Sequence, residues 1–174
     1  MREGQIVDHK RELLTHYLAA LAYRTQKSLR GAPDGFAGFQ VGNEVRTPME
    51  LLRHMTSVLG YACTFFTGGD YWPEPLANFD DEVSRFHKTL ERLARHLRTG
   101  EPFLDPMTAE RMLQGPLADA MTHAGQLGML RRLYGDPVPP ENFIFAEITS
   151  NNLGPDQADP LMPDAEWPEA PKKV

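Results

Sequence analysis

A helical repeat of apolar residues is the strongest constraint on the fold of this chain. Between residues 79 and 97 the apolar side chains recur every three or four positions: Phe79, Val83, Phe86, Leu90, Leu93 and Leu97. This spacing places them on one side of an α-helix, which has 3.6 residues per turn. The pattern predicts a helix that begins near Asn78 and ends at the sequence "TGEPFLDP". Such a one-sided helix needs apolar partners.

Three further segments have helical patterns and supply those partners. The first spans about residues 5–29, with leucines 14, 18, 21 and 29 along one side. The second begins at "TPME" (47–50), a capping box in which Thr47 is the N-cap, Pro48 takes the first helical position and Glu50 the third. It continues through Phe66 to the glycines of "TGGD". The last runs to Tyr134, and Pro116 either starts it or kinks a longer helix.

These segments predict an all-α protein with a four-helix bundle in residues 1–140. Residues 141–174 are predicted to form an extended, proline-rich C-terminal tail. The strand-like residues of "NFIFAEIT" within it have no obvious partner. The acidic run "DDE" (80–82) is expected to complement the N-terminus of the third helix.

Charge and cysteine content narrow the functional classes. The net charge of −6 and the pI near 5.5 argue against a nucleic-acid partner, because phosphate binding needs a clustered basic surface. No apolar run approaches the ~20 residues that span a bilayer, and the charged N-terminus does not resemble a signal peptide. Cys63 is the only cysteine, which excludes an internal disulfide. We therefore expect a cytoplasmic protein without a membrane partner.

Two of the six histidines are predicted to point into the bundle. His54 shares its helix side with Leu51, Val58 and Phe65. His123 lies on a stripe with Asp119, Gln126 and two leucines, on a helix that is apolar on nearly every side and is therefore expected to be buried. The other four histidines are expected at the surface: His9, His16, His87 and His96.

Buried polar residues need partners, and two arrangements satisfy these ones. His54, Asp119 and His123 could ligate a divalent metal such as Zn, Ni, Fe or Mn, with Gln126 orienting a ligand or a metal-bound water. Alternatively, Asp119 accepts hydrogen bonds from the histidines, giving a buried network without metal. The four-residue spacing of Asp119 and His123 does not decide between them, because Glu12/His16 shares it.

Two stretches resemble the DinB/YfiT superfamily of metal-binding four-helix bundles. They are "RTPMELLRHMTSVLGYA" (46–62) and "DAMTHAGQLGMLRRLYGDPV" (119–138). Such proteins typically carry a ligating histidine four residues after the Glu of "TP-x-E", which is His54 here. Their last helix commonly reads "H-x-x-x-H-x-G-Q", which places the second histidine at His123 and the glutamine at Gln126. The first histidine of that pattern is replaced by Asp119, so the implied ligand set has one carboxylate, which favours harder ions.

The resemblance also implies an architecture and an activity. Members run up-down-down-up with a long crossover between the second and third helices, for which "TGGDYWPEPLA" is suited, and they are often homodimers. Several are metal-dependent thiol transferases that add a low-molecular-weight thiol to a small electrophilic substrate. The alternative is a non-catalytic helical-bundle binding or interaction protein, with a structural metal or none, whose tail and Trp167 engage a partner.

Overall fold

The computed structural model describes residues 8–161, and these form an all-α fold. The helices are α1 (His9–Leu29), α2 (Pro48–Thr67), α3 (Phe79–Thr99), α4 (Ala109–Met112) and α5 (Ala118–Leu133). A π-helical turn (Leu113–Leu117) joins α4 to α5, and two short 3-10 turns lie at Phe36–Gly38 and Phe143–Phe145. No β-strand occurs within the described residues.

Local capping signals begin the long helices where the sequence predicts. Thr47 and Glu50 form the reciprocal capping box of α2, and the Asn78 side chain accepts a hydrogen bond from the Asp81 amide at the start of α3. The first helix begins later than expected, at His9, because Asp8 has non-helical backbone angles and caps the amides of Lys10 and Arg11. The predicted residues 5–7 lie outside the described part of the chain.

The last bundle helix is continuous across Pro116, so this proline lies within a longer helix and does not start a new one. Pro116 lies inside the π-helical turn, and the Ala118 amide at its end donates to the carbonyls of both Gly115 and Leu113. Proline removes one amide from the helix ladder. The wider turn accommodates that loss and inserts one extra residue, which shifts the helical phase immediately before Asp119.

Contacts between helix ends establish the direction of each helix. Arg53 and Glu82 pair near the starts of α2 and α3, while Phe66 stacks on His96 near their ends, so these two helices are parallel. The guanidinium of Arg11, at the start of α1, donates to the Glu101 carbonyl just beyond α3. Helices α1 and α3 are therefore antiparallel.

The α4–α5 helix runs in the same direction as α1. Lys10 pairs with Glu110 at the beginning of both helices, and Gly128 faces Ser28 near their ends. The order is therefore up-down-down-up, and residues 68–78 form the crossover between the parallel helices α2 and α3. Helix α5 consequently lies against both α1 and α2. That neighbourhood positions the site described below.

The apolar stripes of all the long helices meet in one core. Leu18, Leu52, Leu90 and Leu127 are among its fully buried residues, one from each long helix. Full burial of such a side chain stabilises the fold by about 1.5–3 kcal/mol. The expectation that α5 is buried on all sides is wrong, because Met129 and Leu133 on its outer side are 53% and 54% exposed.

The chain after α5 returns to the bundle and packs on it. Apart from the 3-10 turn Phe143–Phe145, residues 141–161 consist of irregular backbone with several tight turns, and "NFIFAEIT" forms no strand. Leu153 is buried, and its carbonyl accepts a hydrogen bond from His87 Nδ1 at 2.6 Å. His87 is thus buried, contrary to the surface position predicted for it. The rest of the predicted tail, including Trp167, lies outside the described residues.

Two further features concern the cysteine and the capacity of the helices to span a membrane. Cys63 is buried on α2. Within residues 8–161, no helix combines the length and the apolar character that crossing a bilayer requires.

Candidate metal centre

Helices α2 and α5 bring His54, Asp119 and His123 together. His54 lies in the second turn of α2, whose start is set by the capping box at Thr47. Asp119 and His123 lie one turn apart on α5, on the side that faces α2. The ligating atoms of the three side chains all lie within 4.8 Å of one another. The predicted grouping of these residues is therefore present in the folded chain.

The Asp119 carboxylate bridges the two imidazoles, with one oxygen for each. His54 Nε2 lies 3.2 Å from Asp119 Oδ2, and His123 Nε2 lies 3.3 Å from Asp119 Oδ1. The two rings are nearly perpendicular, with their centroids 4.8 Å apart. Both Nε2 atoms are thus directed at the same carboxylate.

The orientation of the Gln126 amide determines which ring nitrogen of His123 carries a proton. The Gln126 side-chain oxygen lies 2.7 Å from His123 Nδ1, so that nitrogen donates a hydrogen bond to it. Neutral His123 then has a lone pair on Nε2, which faces a carboxylate oxygen of Asp119. Two acceptors at this distance repel each other. A cation bound between them removes the conflict.

A metal-free network is the alternative arrangement of the same atoms. If the Gln126 amide is turned over, its NH₂ group donates to His123 Nδ1. Both Nε2–H groups then donate to Asp119, and every hydrogen bond is satisfied without a cation. The two arrangements differ in proton positions, and metal binding distinguishes them.

The surroundings keep His54 in the form that binds metals. Burial lowers the pKa of His54, and the nearby Arg46 and His123 side chains lower it further, against the opposing effect of the Asp119 carboxylate. His54 is therefore neutral at pH 7, and a neutral imidazole nitrogen is the form that ligates a metal.

The donor set fits a divalent ion. Two ligands on a tetrahedral metal with bonds of about 2.0 Å lie about 3.3 Å apart. The contacts of Asp119 with the two histidines, at 3.2 and 3.3 Å, match this separation but use different carboxylate oxygens. Because the three ligating atoms lie within 4.8 Å of one another, a small inward movement of the side chains would bring them onto one ion. Nitrogen and carboxylate oxygen suit Zn, Ni, Fe and Mn alike. The side chains of His54, Asp119 and His123 are 31%, 44% and 10% exposed, so solvent reaches the group.

A buried ionic cluster beside the site was not predicted. Glu82 is fully buried and accepts hydrogen bonds from Arg53, from Arg85 and from the Leu76 amide. Burial raises the pKa of Glu82, but these hydrogen bonds together outweigh it and lower the pKa. Glu82 therefore holds α3 and the crossover against α2, next to His54, in addition to its position near a helix N-terminus. Its place at a first helical turn concealed this role, since acidic residues are common there.

No protein-family model, curated protein or solved structure that was compared with this chain matches it. The resemblance to the DinB/YfiT superfamily therefore stays a prediction from its two motifs.

Proposed function

We propose that His54, Asp119 and His123 hold a divalent metal ion and that the protein is a metal-dependent thiol transferase. The observation that carries this proposal is the convergence of three ligating side chains in a group that is partly exposed to solvent. The DinB/YfiT-like motifs support it further, because the activity they imply uses a ligand set at these positions.

The number of protein ligands favours a catalytic over a structural site. Structural zinc sites are closed by four protein ligands, whereas catalytic sites keep a position for water or substrate. The group contains three ligating side chains, and the Asp119 side chain is 44% exposed. A thiol of low molecular weight could reach such a position.

Each residue has a distinct part in this proposal. His54 stays neutral and presents Nε2, while Gln126 accepts from His123 Nδ1 and so turns the lone pair of His123 Nε2 towards the same point. Asp119 contributes one negative charge, which offsets half of the charge of a divalent ion, and a bound thiolate would supply the other. When bound, that ion would stabilise the thiolate form of a thiol at neutral pH.

The nucleophile in this reaction is an external thiol. Cys63 is buried, and burial raises the pKa of its thiol despite the opposing effect of Arg92. It is therefore unsuited to attack a substrate. The external thiol releases its proton to solvent, its sulfur bonds to the electrophilic carbon, and the leaving group departs with its bonding electron pair.

Metal content measured by plasma mass spectrometry tests the binding step. The protein is purified without a metal-affinity tag, alongside the His54→Ala and Asp119→Ala variants. His16→Ala is the matched control, because His16 is exposed on α1. We expect near-stoichiometric Zn, Ni, Fe or Mn in the parent and the control, with most of it lost from both site variants.

A fluorogenic electrophile tests the catalytic step. Monochlorobimane becomes fluorescent when a thiolate displaces its chloride, so the transfer of cysteine or glutathione can be followed directly. Metal-dependent acceleration that is absent in His54→Ala supports the transferase. Bound metal without transfer from any thiol leaves a binding or interaction protein with a structural metal. A parent that takes up no metal even after divalent ions are added has the metal-free network.

A further inference from the structure

A groove on the opposite side of α5 from His123 has features of a second binding site. It lies between α1, α5 and residues 138–144, and it has a volume of about 880 Å³. Gly125, Gly128 and Arg132 line it from α5. Helical stepping of 100° per residue places them away from the His123 side. The groove is therefore separate from the candidate metal centre, and its role does not depend on the function proposed above.

A buried cluster holds the outer wall of the groove in place. The fully buried Glu141 carboxylate accepts hydrogen bonds from Tyr23 Oη and Lys27 Nζ, both at 2.6 Å. Phe143 packs edge-on against Tyr23, with ring centroids 6.2 Å apart. These contacts fasten residues 141–143 to α1. The groove is thus formed before any ligand arrives, which reduces the ordering that binding requires.

The groove concentrates positive charge in an acidic protein. Arg24, Lys27 and Arg132 all line it, although the whole chain carries a net charge of −6. Lys27 is neutralised by Glu141. Arg24 packs on the Phe143 ring at 3.8 Å, and the ion pairs among residues 8–161 include neither Arg24 nor Arg132. Two guanidinium groups from different helices are thus available to an acidic ligand.

The remaining surface of the groove is mostly apolar, with Ser28 and Asn142 as its polar members, and it has space for an apolar ligand body. Met121, Met129 and Ile144 contribute to its walls, and the Ile144 side chain is 86% exposed. No side chain covers the floor of the groove at Gly125, since a Cβ built there would meet nothing within 4 Å. Volumes of 300–1,000 Å³ with apolar walls and a few charged groups are typical of small-molecule sites.

We propose that this groove binds a small organic anion, whose acidic group is held by Arg24 and Arg132 and whose apolar body lies over Gly125. A carboxylate, phosphate or sulfonate meets the requirement, because guanidinium groups form strong ionic hydrogen bonds with each of them. The apolar walls exclude a bare inorganic ion as the best ligand.

Fluorescence titration with anilinonaphthalene sulfonate tests the proposal, because this probe combines an aromatic body with one negative charge. The neutral phenylnaphthylamine is the matched probe without the charge. We expect the full-length protein to bind the sulfonate, with an affinity that falls as salt is added. In the double variant Arg24→Gln/Arg132→Gln, the sulfonate should bind about tenfold more weakly or worse, with the neutral probe little affected.

Two further variants separate the groove from a general effect of charge. Arg95→Gln removes an exposed arginine from α3 and should leave the affinity unchanged. Gly125→Leu fills the floor and should weaken both probes, and it is compatible with the helix because leucine is the better helix former. Circular dichroism melts confirm that each variant is folded, which matters because this sulfonate also binds molten states.

Amide signals in NMR spectra locate the bound probe. Shifts at Gly125 and Gly128 support the proposal. Shifts confined to Leu13 and Leu113, which line a separate apolar groove of about 330 Å³, overturn it. Equal affinity in the parent and the double arginine variant, or no binding to the native parent, also overturns it. A dimer in analytical ultracentrifugation that Gly125→Leu abolishes would assign the groove to a second copy of the chain instead.

Discussion

Replacing Asp119 by asparagine separates the metal centre from the metal-free network. The substitution keeps the size of the side chain and removes its negative charge. Without metal, the carboxylate contacts His54 and His123 at 3.2 and 3.3 Å while 44% exposed to solvent. Partly exposed pairs of this kind contribute about 0–1 kcal/mol. The metal-free variant should therefore unfold at nearly the same temperature as the metal-free parent.

Added metal should change that comparison. A ligand at 100 times its dissociation constant stabilises the protein that binds it by about 2.7 kcal/mol. For a domain of 150–250 residues, 1 kcal/mol corresponds to about 2–4 °C in melting temperature. The parent should therefore melt about 5–11 °C higher with zinc. If loss of the carboxylate weakens zinc binding about 100-fold, zinc stabilises Asp119→Asn by only about 0.4 kcal/mol, which raises its melting temperature by about 1–2 °C.

Differential scanning calorimetry measures both effects on chelator-stripped, untagged protein, with free zinc held constant by a nitrilotriacetate buffer. Asp156→Asn is the control, because Asp156 is exposed and its side chain is remote from the group. Equal zinc-induced shifts of the melting temperature in the parent and in Asp119→Asn would refute the role of Asp119 as a ligand. No shift in either protein would refute the metal centre. A metal-free variant that loses more than about 3 kcal/mol would contradict the weak network energy assumed here.

Four other substitutions test packing and buried contacts in the bundle. Glu82→Gln should lower the unfolding free energy, measured in urea, by about 3–5 kcal/mol. The substitution removes the buried negative charge that pairs with Arg53 and Arg85 and leaves both guanidinium groups uncompensated. Since the folded pKa of Glu82 is lowered, the stability it contributes is present above the unfolded pKa and is lost as the pH falls through the folded pKa. Gly60→Ala should lower the unfolding free energy by about 1–3 kcal/mol, because the new Cβ would lie 2.0 Å from the Tyr71 ring of the crossover. Gly125→Ala should raise it by about 0.5–1 kcal/mol, because a Cβ there meets nothing within 4 Å and alanine favours the helix. Burial lowers the pKa of His87, so this histidine takes up a proton when the protein unfolds at acidic pH. The unfolding free energy should therefore fall as the pH drops below about 6.5, and His87→Gln should reduce that pH dependence.

Matched measurements decide each of these outcomes. Glu91→Gln is the control for Glu82→Gln, since Glu91 is exposed on the same helix and should change little. A Glu82→Gln variant as stable as Glu91→Gln would mean that the cluster does not hold α3. Gly60→Ala and Gly125→Ala melting in the same direction would contradict the close approach of the crossover to α2.

The helices and their limits could be predicted because their signals are local. The capping box at Thr47, the Asn78 cap and the glycines after α2 act through hydrogen bonds within a few residues. The three-and-four spacing on α3 defines its buried side without knowledge of what covers it. Together these signals predicted an all-α fold, and they gave the side of α2 on which His54 lies.

The burial of individual polar residues could not be predicted in the same way. His87 and Glu82 occupy positions on α3 that read as surface or helix-end positions. His87 is buried because the carbonyl of Leu153, far along the chain, reaches it. Asp119 is half exposed although its helix is apolar, since α1 and α2 cover only part of α5. Burial of a helical residue depends on which distant segment packs over it.

The sequence alone determined the type of each long helix and the identity of three side chains able to ligate a metal. Only the tertiary structure decided that they meet. Spacing on one helix relates Asp119 to His123, because both follow the same backbone. The distance from His54 to Asp119 depends instead on how α2 and α5 pack, and thus on the crossover, the π-helical turn and the whole core. Interhelical register is a sum of many weak contacts, and no short motif encodes it.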